Sequence, residues 1–321
     1  MRSTVTTPKG PSTSLSMTGG NWLLLGLLAL LWGSGFFFTT IAVEDIGPPT
    51  VVLIRVILAA AILYAVIRFR GTSLPQGWAT WRPFFVLGLL NTTLPFTLNA
   101  WSLTRIDSGL AGILTATVPI FTVVVAHFAT ADEHFSVAKV VGSGLGMSGV
   151  LLILGQDLGS LASGGGLGKL AVLVSCLCYG LAGVYARSLK GIPPLNLAFG
   201  QLCTAAVLLT PFVALVDRPW QTSTWTTSAI LSTLVLTVFG SACAYLIYYR
   251  LLAAAGATNA SLVAYLIPVV AVLLGAAILD ERFLVQQLLG MALIVGGMAV
   301  IDGRLVRRLA NRGAPSPIAA D

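Results

Sequence analysis

Charge is what this chain of 321 residues lacks most: 9% of it is Asp, Glu, Lys or Arg, against 56% hydrophobic residues. That is well under half of what a soluble domain carries, so a water-exposed globular fold is excluded. Histidine is nearly missing, and neither His127 nor His134 has a ligand partner at zinc-site spacing. The four cysteines, Cys176, Cys178, Cys203 and Cys243, all fall inside apolar runs. Cys176 and Cys178 stand one residue apart with no further ligand nearby, so they read as packing residues. Neither a metal nor a cofactor is expected. Carboxylates are scarce and peripheral: Glu44, Asp45, Asp107, Asp132, Glu133, Asp157, Asp217, Asp280, Glu281, Asp302 and Asp321 all lie at the ends of apolar runs, in links or in tails. Proton-coupled pumps usually keep an acid in mid-span. Were the chain a membrane carrier, that absence would favour facilitative or exchange transport, with Glu133 and Glu281 as the remaining candidates for coupling.

Long apolar runs are abundant. Stretches near 20 residues recur, each long enough to cross a hydrocarbon core about 30 Å thick. Spans are expected at 22–43, 49–69, 82–104, 108–130, 137–155, 168–188, 194–216, 228–251, 257–279 and 284–302. Breakers separate several of them, including Gly47-Pro48-Pro49, the Ser163–Gly168 stretch and Gly191-Ile192-Pro193-Pro194. The first run is too long for a signal-peptide core and has no small-residue cleavage site, so it is read as a retained helix. Residues 1–20 are expected to form a disordered tail, and residues 304–321 a basic one.

The formal charge of +7 does not indicate a nucleic-acid partner, because the basic residues are sorted by loop. With the N-terminus inside, thirteen basic residues fall on the cytoplasmic side. Only Arg105, Lys169, Arg218 and Arg282 fall on the other, and Arg55 is left within a span. The positive-inside rule therefore places both termini in the cytoplasm.

The chain also repeats itself. Residues 116–155 and 264–303 each hold a proline-bearing apolar span, a short acidic link and a glycine-rich apolar span. Glu133 precedes Gly142 by nine residues, and Glu281 precedes Gly290 by nine. Pro48-Pro49 before the second span is matched by Pro193-Pro194 before the seventh, and Leu31-Trp32-Gly33 by Cys178-Tyr179-Gly180. Two units follow, 21–156 and 168–303, each with an odd number of spans and therefore of opposite orientation. The fold class expected is all-α and polytopic, ten transmembrane helices arranged as two inverted five-helix repeats. Inverted repeats recur in carriers whose central site opens alternately to either side.

Leu31-Trp32-Gly33-Ser34, Pro48-Pro49 followed by Arg55, and the paired Pro119–Glu133–Gly142 and Pro268–Glu281–Gly290 segments resemble the EamA family of the drug/metabolite transporter superfamily. The resemblance covers about residues 22–303. It implies a bacterial inner-membrane carrier with a central cavity between its halves, and commonly export of small metabolites such as amino acids.

Polar groups inside spans are costly in lipid and should face the protein interior or a wet cavity. Arg55, about two turns into the second span, is read either as a docking charge for an anionic group or as a cation tying that helix to its neighbours. Asn91, Thr92 and Asn99 form a polar stripe in the third span. Trp32 and Phe36 share a face of the first. Tyr179, Gln201, Tyr245 and Tyr265 complete the candidate substrate-binding set, with interhelical bonding and interfacial anchoring as the structural alternatives. Pro119 and Pro268 are candidate hinges. Glu133 and Glu281 are alternatively caps of the helices that follow them. The partners expected are a small-molecule substrate and the bilayer, with monomer and homo-oligomer both open. The rival classes are a membrane-embedded enzyme of lipid or isoprenoid substrates, which lacks a clustered Asp, His or Ser set here, and a multidrug efflux carrier.

Overall fold

The computed structural model describes residues 18–129, 137–154, 164–186, 188–189, 191–255 and 262–302, and within these the regular structure is all helical. The helical rods are α1 (Gly19–Asp45), α2 (Pro48–Phe69), α3 (78–102), α4 (Ser108–Ala129), α5 (Val137–Leu154), α6 (Gly164–Ala186), α7 (Pro194–Asp217), α8 (227–255), α9 (Val263–Ile278) and α10 (Val285–Asp302). Seven of them, α1, α2, α4, α5, α6, α7 and the Thr227–Tyr248 part of α8, are long and apolar enough to cross a membrane. α9 and α10 are shorter apolar helices. Their outer surfaces are oily: Leu23 is 74% exposed and Leu273 62%. Such a surface has no place in water but suits lipid. The chain is a multi-pass membrane protein.

The helix starts follow local chemistry. Thr18 Oγ1 accepts the Asn21 N–H at 3.3 Å to begin α1, and Thr226 Oγ1 accepts the Ala229 N–H at 3.3 Å to begin α8. α2 and α7 start on proline, whose fixed φ and missing N–H cost nothing in a first turn. Expected boundaries shift by up to four residues: α3 starts at Trp78 rather than 82, and α8 continues to Ala255 rather than 251, while the expected start of α9 at 257 lies outside the described residues. The Ala-Ala-Ala run at 253–255 has no breaker to stop α8 earlier.

Contacts cross between the two parts of the chain. α1 packs on α8 and α9, while α6 packs on α3 and α4. α2 lies along α7, and α5 lies along α10. The α5–α10 seam is glycine on glycine. A Cβ added at Gly142 would sit 2.5 Å from Gly297 O, and one at Gly149 would sit 2.6 Å from Gly290 O. Only glycine lets these backbones approach so closely.

The two candidate hinge prolines behave differently. α4 is interrupted at Ala116–Thr117, just before Pro119, whereas α9 runs unbroken through Pro268. At the break Thr117 Oγ1 donates to Leu114 O at 2.7 Å, a local bond that competes with the helical ladder.

Candidate functional site

Two irregular turns shape the centre of the molecule. In α3 the segment Gly88–Thr93 is π-helical, and in α8 so is Val238–Cys243. Such a turn holds one extra residue, disturbs the backbone ladder and re-aims the side chains on it. Asn91 is the fourth residue of the first π-turn and Ser241 the fourth of the second. Each is hydrogen-bonded to a polar side chain of another helix, Ser241 as acceptor and Asn91 as donor. Arg55 Nε on α2 donates to Ser241 Oγ at 2.7 Å, and Arg55 Nη2 donates to Gly240 O at 3.3 Å. Asn91 Nδ2 donates to Gln201 Oε1 on α7 at 2.9 Å. Arg55 stands seven residues after Pro48, the first residue of α2, and Gln201 seven after Pro194, the first residue of α7, so the two side chains lie equally far into their helices.

The approach at these turns is close. A side chain at Gly88 would overlap Thr204 and bring its Cβ to 3.0 Å from Gln201 O. Thr204 Oγ1 lies 2.7 Å from Phe84 O, supplying a donor near the carbonyls that the π-turn disturbs.

Around Arg55 the cluster widens. Its guanidinium lies 4.3 Å from the centre of the Phe96 ring on α3. Tyr179 of α6 and Tyr245 of α8 are within electrostatic range of it. The Asn99 amide lies near the Tyr179 hydroxyl, and Asn99 Oδ1 accepts from Ser175 Oγ at 2.8 Å. The Tyr245 hydroxyl faces the Gln201 amide, whose Nε2 is buried with no hydrogen-bond partner among the described residues. Arg55, Asn91, Asn99, Tyr179, Gln201 and Tyr245 thus come together as one polar network joining α2, α3, α6, α7 and α8. Thr92, beside Asn91, is fully buried, and its Oγ1 has no hydrogen-bond partner among the described residues.

The remaining candidates go elsewhere. Trp32 packs on Tyr248 with ring centres 5.5 Å apart, in a smaller core between α1 and α8. Phe36 joins the main core, where a Cβ added at Gly112 of α4 would meet it at 3.8 Å. Trp32 and Phe36 therefore share a helix face but serve different neighbours. Tyr265 is half-buried against the main core. An apolar recess of about 280 Å³, lined by Ile46, Ile54, Trp225, Ile230, Thr233 and Leu234, contains none of the polar network.

Glu281 corrects the expectation that it caps the helix after it. Its Oε1 accepts the Ser108 N–H at 2.7 Å and its Oε2 the Gly109 N–H at 2.9 Å, so it caps α4, far away in sequence. The start of α10 is served instead by Gln287 Oε1, which accepts the Leu284 N–H at 2.9 Å. A carboxylate between two first-turn amides meets both their protons and the positive end of the helix dipole. Burial first, and the Glu281 charge second, raise the nearby Asp107 carboxyl above its ordinary value of 3.8. Asp217 acts like Glu281 at α2, accepting the Thr50 N–H at 3.1 Å and also the Thr50 hydroxyl. Asp45 Oδ2 accepts from Thr226 Oγ1 at 2.6 Å. Glu133 lies outside the described residues.

Ser241, Phe96 and Ser175 were not singled out from sequence. The run Phe239-Gly240-Ser241-Ala242 signals only a thin stretch of helix, and nothing in it predicts a π-turn.

A family model described as the EamA-like transporter family matches residues 20–155 and again residues 166–302. The chain belongs to the EamA family. Among relatives of this EamA chain, the Bacillus subtilis (strain 168) uncharacterized transporter YoaV is 25% identical, covering 86% of this chain and 95% of its own. The uncharacterized inner membrane transporter YedA of Escherichia coli (strain K12) is 26% identical over 85% of this chain and 88% of its own. A protein crystal structure superposes with a TM-score of 0.65 over 91% of this chain and 99% of the other, at 22% identity. That likeness bears on the fold alone.

Proposed function

We propose that this EamA protein is an inner-membrane carrier that exports small amino-acid-like or related amphipathic metabolites. It works by alternating access between two inverted five-helix halves, with ten membrane helices and both termini in the cytoplasm. The names of its relatives, transporters in YoaV and YedA, support the class, and the inner-membrane wording of YedA supports the location.

The observation that carries the reading is the matched pair of bonds at the π-turns. Number the helices so that α1–α5 correspond to α6–α10. Arg55 to Ser241 then maps onto Gln201 to Asn91. The packing of α1 on α8 and α9 maps onto that of α6 on α3 and α4, and the α2–α7 and α5–α10 contacts map onto themselves. Even the glycine seam obeys the exchange, Gly142 on Gly297 becoming Gly290 on Gly149. Two halves related in this way by an axis in the membrane plane place Arg55 and Gln201 at equal depths from opposite faces, about 10 Å from their helix starts at 1.5 Å per residue. Rocking one half against the other then exposes the same polar centre to each side in turn.

The test is metabolite profiling of medium from cells overproducing the protein, against cells overproducing Asn91→Ala with Gln201→Ala at equal membrane levels. One class of metabolite should accumulate with the native protein and not with the double variant. Accumulation that is identical in the two would remove the polar centre from transport. No accumulation over empty-vector cells would remove export.

A further inference from the structure

Arg55 carries a full positive charge into the membrane interior, and the groups around it do not neutralise that charge. Its guanidinium presents five N–H donors. Ser241 Oγ and Gly240 O take one each, and the Phe96 face takes the π surface. Among the described residues it has no ion pair, and the titratable groups that face it are the hydroxyls of Tyr179 and Tyr245. The described carboxylates stand at or beside helix ends: Asp45, Asp217 and Glu281 are occupied with Thr226, Thr50 and the α4 start, and Glu44, Asp107, Asp280 and Asp302 lie beside the ends of α1, α4, α9 and α10. An unpaired cation in such a place costs several kcal/mol unless an anion or water meets it. Arg55 as a residue is half-buried, with its guanidinium enclosed by the groups named above.

We infer that Arg55 is the docking group for the carboxylate of the transported solute, which makes the cargo a small organic monoanion or a compound bearing one carboxylate. The inference rests on the carrier reading above and narrows its substrate class. The Ser241 and Gly240 bonds fix one edge of the guanidinium, and the Phe96 ring fixes its plane. The remaining edge then offers parallel N–H donors in the geometry that suits a carboxylate. The Tyr179 and Tyr245 hydroxyls lie within electrostatic range of the guanidinium, and Gln201 Nε2 is a buried donor with no hydrogen-bond partner among the described residues. Donors dominate this centre. One cation matches one negative charge, whereas a phosphate dianion would leave a second charge unmatched. Chloride would satisfy the charge but would use neither the parallel donors nor the aromatic wall.

The test uses the full-length protein purified in detergent and reads thermal stabilisation against ligand concentration. The probes are phenylacetate and isovalerate, their neutral amides phenylacetamide and isovaleramide, and sodium chloride at equal ionic strength. At least one carboxylate should stabilise the native protein saturably, with its amide at least tenfold weaker and chloride without effect. Arg55→Gln should lose that response, while Arg105→Gln, which removes an arginine stacked 3.7 Å from the Trp101 ring at a helix end, should keep it. Equal responses to acid and amide, a response to chloride alone, no response to either acid, or full retention in Arg55→Gln would each overturn the inference. Should Arg55→Gln fail to fold, the acid–amide comparison on the native protein still decides. Counterflow of the responding probe in proteoliposomes separates the two readings. Binding without flux would sink the carrier and leave the docking site, whereas flux of neutral or cationic solutes without carboxylate binding would do the reverse.

Discussion

The bonds at Ser241 and at Asn91 come from side chains equally far into α2 and α7, yet one is made by an arginine and the other by a glutamine. One ties α2 to the π-turn of α8 and the other ties α7 to the π-turn of α3, so the two ties are alike in kind. Only the Arg55 side carries charge. The glutamine shows that the tie itself needs nothing more than a neutral hydrogen bond, so the charge at Arg55 is surplus to packing. A surplus cation in a span is retained at a cost, and on the proposed reading the functional asymmetry of the molecule lies at that one position.

Removing the asymmetry should have the largest effect. Arg55→Gln makes the two ties alike; it keeps a hydrogen bond to Ser241 within reach but removes the charge. Transport by this variant should fall by about 10- to 100-fold, the range expected for losing a charge-assisted hydrogen bond worth ~1.5–3 kcal/mol. Transport within twofold of the native rate at equal membrane levels would mean that the charge has no part in it.

The glycine seam allows a stricter comparison, because its two contacts should be equivalent. Gly142→Val and Gly290→Val each force a side chain into backbone, while a Cβ at Gly144, on the same helix, meets nothing within 4 Å. The first two should lower folded yield in detergent by similar, large amounts, at about 1–3 kcal/mol of overpacking strain each. Gly144→Val should be nearly neutral by size-exclusion chromatography. Unequal losses at 142 and 290 would break the proposed equivalence.

Next come the end ties. Glu281→Ala removes the acceptor of two amide bonds at the start of α4, and a loss of about 2 kcal/mol is expected, read as a lower melting temperature. Glu281→Gln should recover part of it by keeping a carbonyl acceptor. The smallest effect is at Asp107. Its carboxyl is raised in the folded protein, so the stability linked to its protonated form is whole below pH 3.8 and is lost as pH rises through the raised value. Asp107→Asn should therefore stabilise the protein slightly at neutral pH and flatten the pH dependence just above pH 3.8. A variant less stable than the native protein at pH 7 would show that the Asp107 charge is favourable after all.

Much of the fold is legible in the sequence because lipid imposes a simple rule: apolar runs of sufficient length become helices, and breakers end them. α1, α2 and α5 lie within three residues of their expected bounds. The site was legible only as a set of residue types. Arg55, Asn91, Asn99, Tyr179, Gln201 and Tyr245 stand out as polar groups in apolar runs, and they meet. Trp32 and Phe36 do not join them, because sharing a helix face does not decide which neighbour each touches. Ser241 and Phe96 escaped notice because a serine and a phenylalanine are unremarkable in a span. Their roles come from a π-turn and from a cation arriving from another helix, both tertiary facts. Glu281 was misassigned for a similar reason: spacing relates an acid to the helix beside it, while the amides it serves are brought to it by folding.

The most direct test of the inverted-repeat reading is labelling from one side of the membrane. Gln76 and Gln221 are exposed residues in the links after α2 and α7, Gln221 in a short helix 219–222, and the proposed inverted halves make these links correspond. Gln76→Cys and Gln221→Cys would be treated in intact cells and in inside-out vesicles with a membrane-impermeant maleimide, and the native protein would serve as the blank. Residue 221 should label from outside and residue 76 only from the cytoplasmic face. Labelling of both from the same face would contradict the inverted halves, and with them the central site that opens to each side in turn.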